Sequence, residues 1–170
     1  MVTGASLLTV EEFRERYAGE KPYFEYWFGE AIQKPVPTWL HSLLQQILGE
    51  LFTQAGYKSG PELELRIDPE WQPKPDVAAA LFVEQPYPTK PIDVVAEVLS
   101  PEDRMQLVYR KCREYERIGI GAIFVLDGEY KEVWEWSRQT HNLERVDQLV
   151  LPNGVFIAVQ RIWDELDRRR

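Results

Sequence analysis

The sequence has one cysteine, Cys112, so no disulfide can form within the chain, which fits a reducing compartment. It has two histidines, His41 and His141, and neither sits near a nucleophile motif, which argues against Ser-His-Asp chemistry. Cys/His zinc spacing and a glycine-rich phosphate loop are both missing. No stretch approaches the ~18 uninterrupted apolar residues of a membrane span. Residues 1–10 lack the basic-then-apolar order of a secretory leader. These absences predict a soluble, cytoplasmic protein with no membrane partner. Positive charge is in deficit: 20 Lys and Arg stand against 28 Asp and Glu, for a net charge of −8. That balance argues against a broad basic surface for sequence-independent nucleic-acid binding, though it permits a local basic cleft.

Internal repeats and low-complexity segments are also absent. With 170 residues, 44% hydrophobic and 12% aromatic, the chain is expected to form a single globular domain over residues 1–170. Proline-rich stretches near Lys34–Pro37, Trp71–Pro75 and Gln85–Pro91 are short and read as connections within it.

Thr9 and Glu12 form a capping-box pattern and predict a short helix to about Tyr17. Tyr23–Gln33 alternates around Phe28, Gly29 and Glu30, which predicts a hairpin. Thr38 can cap a long helix whose leucines and Ile47 recur at helical spacing until Gly56. Strands are expected over Glu62–Ile67, Asp76–Val83 and Ile92–Leu99. Pro101 is expected to open a helix to about Ile118, stopped by Gly119. Ala122–Leu126 and Glu132–Ser137 read as paired strands, followed by a short strand near Val155–Val159 and a last helical turn around Trp163–Leu166. Arg168, Arg169 and Arg170 read as a frayed tail. The order predicts an α/β or α+β domain, with a mixed central sheet flanked by helices.

Glu97 stands out. It lies in a strand that is otherwise almost wholly apolar, where a carboxylate must be neutralised, paired or bound to a metal. Strand alternation puts it on one face with Val95 and Leu99, near the C-terminal end where sites gather in α/β sheets. Lys111 falls within the apolar arc of the following helix, formed by Val108, Cys112, Tyr115 and Ile118. A helix after a strand packs back on its sheet, so Lys111 can approach Glu97. Asp76 heads the preceding apolar strand, and pairing of the two strands would set it beside Glu97. Two adjacent carboxylates share a proton or bind a hard cation. With a lysine beside them they fit a divalent-metal hydrolytic centre. Two plainer readings stay open here: Asp76 as a turn residue, and Glu97–Lys111 as a buried structural pair. A glycosidase-type carboxylate pair would leave Lys111 without a role.

Lys74, Pro75, Asp76 and Val77, then the run from Val94 to Pro101, then Lys111, Tyr115, Gly119 and Asp127, resemble the Uma family of restriction-endonuclease-like proteins. The resemblance runs from about Thr9 to Leu166. It implies the PD-(D/E)XK nuclease fold, with Asp76 and Glu97 as metal ligands, the Val98 carbonyl as a third, and Mg²⁺ or Mn²⁺ as cofactor. It implies Lys111 as the nuclease lysine, moved to the helix from the position that Leu99 occupies here. Glu25 matches a family glutamate in the N-terminal hairpin and would be an extra metal or water ligand. His41 matches a histidine opening the long helix. The implied activity is metal-dependent endonuclease cleavage of DNA, and a homodimer would suit cutting both strands. The alternative is a catalytically silent nuclease fold serving as a binding module, with Trp27, Trp71, Trp134 and Trp136 as surface candidates, though alternate core positions of hairpins account for these tryptophans equally well.

Overall fold

Alternating and helical apolar patterns sort this chain into layers. The computed structural model describes residues 6–170; residues 1–5, half of the stretch read for a leader, lie outside the described residues. The elements run α1 (Val10–Tyr17), β1 (Phe24–Trp27), β2 (Glu30–Gln33), α2 (Trp39–Gln54), β3 (Lys58–Pro61), β4 (Trp71–Gln72), β5 (Val77–Ala80) and β6 (Val94–Val98). They continue with α3 (Met105–Arg117), β7 (Ala122–Asp127), β8 (Glu132–Ser137), β9 (Asn142–Arg145), β10 (Gln148–Val150), β11 (Phe156–Ala158) and α4 (Val159–Arg169).

The central sheet has the order β3-β5-β6-β7-β8-β9. Only β6 and β7 run parallel, joined by α3 as a crossover; the other neighbours are antiparallel. Val94, Ala96 and Val98 pack on one face with the leucines of α2 and with Ile162 and Trp163 of α4. Val95 faces the other way, into a core shared with Val108, Cys112 and Tyr115 of α3 and with Trp27 and Trp71. The small sheet β2-β1-β4 supplies those two tryptophans, so it lies on the α3 side. The mixed sheet flanked by helices is the architecture expected from the sequence.

Several boundaries moved, each for a physical reason. The strand expected over Glu62–Ile67 lies earlier, at β3. The Glu62 and Leu65 amides bond to the carbonyls of Pro75 and Pro73, but those prolines have no N–H to return the bond, so no ladder forms. The strand expected to reach Val83 ends at Ala80: the Leu81 amide turns to Asp93 Oδ2 at 2.8 Å, and Leu81 and Phe82 are exposed. Helix α3 opens at Met105 rather than at Pro101, because Ser100 and Asp103 bond to each other in a turn first. The last helical turn is a full helix, α4. Val159, Ile162, Trp163 and Leu166 make its buried stripe, and of the arginines expected to fray, Arg168 and Arg169 pair with Glu165 and Glu50. Among the described residues, no helix is long and apolar enough to cross a membrane.

Candidate active site

The register of the sheet assembles the site. Val77 of β5 pairs with Ala96 of β6, and one further step along the antiparallel pair sets Asp76 across from Glu97. The link is direct: the Val98 amide donates to Asp76 Oδ2 at 2.7 Å. Helix α3 packs back and delivers Lys111, whose Nζ lies 2.9 Å from Glu97 Oε1 and 3.0 Å from Glu25 Oε1. Glu25 comes from β1, and its other oxygen accepts the Lys74 amide at 2.8 Å. The Tyr115 hydroxyl donates to Glu97 Oε1 at 2.5 Å. His41 comes from the first turn of α2, where Thr38 caps the helix, and its Nε2 lies 3.3 Å from Asp76 Oδ2. Every site residue named from the sequence is therefore here: Asp76, Glu97, Lys111, Val98, Glu25 and His41 all line one cavity of about 740 Å³.

A second buried cation, Lys34, is also here and was not among the residues named from the sequence. Lys34, just past β2, places Nζ 2.9 Å from Asp76 Oδ1, 2.6 Å from Glu62 Oε2 and 2.6 Å from the Lys74 carbonyl. Gln45 of α2 clamps this corner, donating to Glu62 Oε1 and to the Asp76 carbonyl. A lysine next to Pro35 at a hairpin end reads as a solvated loop residue; no local signal marks it.

Asp76 and Glu97 are 3% and 7% exposed, so burial and neighbouring charge compete to set their ionisation. Burial pushes Glu97 up to about 8; the Lys111 charge pulls against this, and the Asp76 charge adds to it. Burial also opposes ionisation of Asp76, but Lys34, His41 and Lys111 together outweigh it and hold the carboxyl well below the usual range. For Lys111 and Lys34, burial would lower the pKa, yet the carboxylates around each outweigh it and keep both ammonium groups charged. His41 follows the same balance and is raised by Asp76. Burial and the Glu97 charge push Cys112 up to about 12, so it is an inert thiol rather than a nucleophile.

A carboxylate has about four lone-pair sites. On Asp76, Lys34 takes one site of Oδ1, while the Val98 amide and His41 share Oδ2. On Glu97, Lys111 and Tyr115 share Oε1, and Oε2 has no protein partner among the described residues. Asp76 thus keeps one site and Glu97 the two of Oε2, so each can give a hard cation one bond, with water filling the remaining positions, as Mg²⁺ prefers. The cavity's six acidic side chains outnumber the charges of Lys21, Lys34, Arg104 and Lys111, a balance that suits a cation once Glu97 gives up its proton. Among the described residues no three of His, Cys, Asp and Glu converge as a ready-made metal cage. The two lysines presently hold the acids.

The surface tryptophans expected of a binding module are not on the surface. Trp27, Trp71 and Trp136 are buried, and Trp134 is partly buried against the same core.

Among curated proteins, none matches the chain. A crystal structure of a "putative nuclease belonging to DUF820" from Anabaena variabilis ATCC 29413 superposes with a TM-score of 0.74 at 19% identity. The match covers 94% of this chain and 99% of that one, and shows that the two share a fold. The family model Uma2, described as "Putative restriction endonuclease", matches residues 10–166. The chain with this acid-and-lysine cavity belongs to the Uma2 family.

Proposed function

We propose that the protein is a metal-dependent endonuclease that hydrolyses DNA phosphodiester bonds at this cavity. The observation that carries the reading is the meeting of Asp76, Glu97, Glu25 and Lys111, from four separate segments, at the floor of one opening. Asp76 and Glu97 would hold one Mg²⁺ or Mn²⁺, with Glu25 and the Val98 carbonyl as further oxygen donors. Such an ion, when bound, polarises a phosphoryl oxygen and lowers the pKa of water.

The chain's own groups do the rest. Lys111 has three N–H donors and spends two, on Glu25 and Glu97. Its third is free to bind a phosphate oxygen, where the ammonium offsets charge built up as water adds to phosphorus. The ester P–O bond then breaks, and the leaving oxygen takes a proton. Tyr115 fixes Glu97 from behind, and His41 with the Val98 amide fixes Asp76. Incubating the purified protein with supercoiled DNA tests the reading: nicking that needs Mg²⁺ or Mn²⁺ and stops with chelator is expected. Intact DNA under all these conditions would favour a second reading, a silent nuclease fold, which draws on the lysine pairing of the acids.

A pH dependence follows from Glu97. Its pKa is raised to about 8, so at pH 7 it carries a proton that a cation must displace. Mn²⁺ affinity should climb as pH rises towards 8, by up to about tenfold per unit, with about one proton released per ion. Calorimetric titration in two buffers of different ionisation enthalpy measures that proton; no release would show Glu97 already ionised or not involved.

A further inference from the structure

We propose that Lys34 is a built-in counter-ion that fills a second cation position beside Asp76 and restricts this centre to one divalent ion. The inference rests on the metal-dependent reading above. Its ground is the difference between the two buried lysines. Lys111 binds two acceptors and keeps a donor for substrate. Lys34 binds three, Glu62 Oε2, the Lys74 carbonyl and Asp76 Oδ1, and so has none left. A fully bonded ammonium cannot turn towards a phosphate without giving up a buried partner.

The three oxygens around Lys34 are of the type that Mg²⁺ and Mn²⁺ bind: two carboxylates and one peptide carbonyl. The ammonium stands where a cation would otherwise sit. Gln45 holds both acidic segments in place, and the Lys34 amide is tied to the Tyr23 carbonyl at 2.8 Å, so the cradle is fixed from two sides. Centres with two metals place them about 3.5–4 Å apart, close enough to share a carboxylate. Asp76 is the acid common to the Lys34 cradle and to Glu97, the place a second ion would be shared. Evicting Lys34 would strand a charge in a buried setting, which is costly. The ammonium therefore supplies the second positive charge permanently, without exchange.

Counting bound Mn²⁺ by calorimetry and by electron paramagnetic resonance tests this without any assay of cleavage. Wild type should bind one Mn²⁺ per chain, with no manganese–manganese coupling in the spectrum. Lys34→Met should bind two, with a dipolar-coupled spectrum. Lys34→Gln is the second variant, because its amide can still donate within the cradle and support folding; it too should bind two. Two ions on wild type, or one on a folded variant, would overturn the role of Lys34 and leave the nuclease reading standing. No site-specific binding to wild type would remove the metal-dependent reading, and this inference with it. Should neither variant fold, the wild-type count alone decides between one ion and two.

Discussion

Glu97→Gln is expected to abolish Mn²⁺-dependent nicking, by about 10³-fold or more, without lowering the melting temperature at pH 7. The two halves of that result come from different physics. Electrostatic help from a correctly held ion contributes several kcal/mol to the transition state, and each ~1.4 kcal/mol is tenfold in rate. Glutamine keeps the shape of the side chain but cannot supply the anionic oxygen. Stability moves differently, because burial has already raised Glu97 to about 8. The sign is set by the folded pKa lying above the unfolded value: the group opposes folding increasingly as pH rises from the unfolded pKa towards 8. Glutamine mimics the protonated form and has no such dependence. The variant should therefore melt at or above the wild-type temperature, and the gap should widen between pH 6 and pH 8.5. A variant that loses activity only by unfolding would contradict this account of Glu97.

Lys111→Met is expected to lower stability as well as activity, unlike Glu97→Gln. Lys111 is the one cation between Glu25 and Glu97, at 3.0 and 2.9 Å. Removing one partner from a buried ion pair costs about 3–5 kcal/mol, because the charge left behind has neither water nor counter-ion. For a chain of this size that corresponds to a fall in melting temperature of roughly 6–20 °C. The Lys111 charge pulls the Glu97 pKa down, so without it Glu97 stays protonated to higher pH, and the loss should grow as pH rises past about 8. Adding Glu97→Gln to Lys111→Met should remove that pH-dependent part, since glutamine does not titrate. Thermal melts of the single and double variants at pH 7 and pH 9 measure this, and additive losses would show that the groups are not coupled.

How much of this was legible beforehand depended on how local each signal was. Glu97 and Lys111 announced themselves, because a charge in an apolar strand and a charge in an apolar helical stripe both break a period that burial enforces. Asp76 was readable once its strand was paired with that of Glu97, and the observed register confirms their juxtaposition. Lys34 carried no such contrast. It follows a half-exposed strand and precedes a proline, and its importance arises from the meeting of β2, α2 and the segment before β5. Strand and helix ends failed for a similar reason. Whether Glu62–Ile67 forms a ladder depends on which residues lie opposite, and there the prolines at 73 and 75 cannot donate. The tryptophans left both readings open, because alternation in a hairpin fixes two faces but not which of them meets a core; the core reading holds, and α3 covers Trp136.

The most direct test of the central claim is the anomalous difference map of a crystal soaked in Mn²⁺. A peak is expected within about 2.0–2.3 Å of one oxygen each from Asp76 and Glu97, with Lys34 still seated against Glu62. A map with no peak there, and with Lys111 and Lys34 holding both carboxylates unchanged, would contradict it.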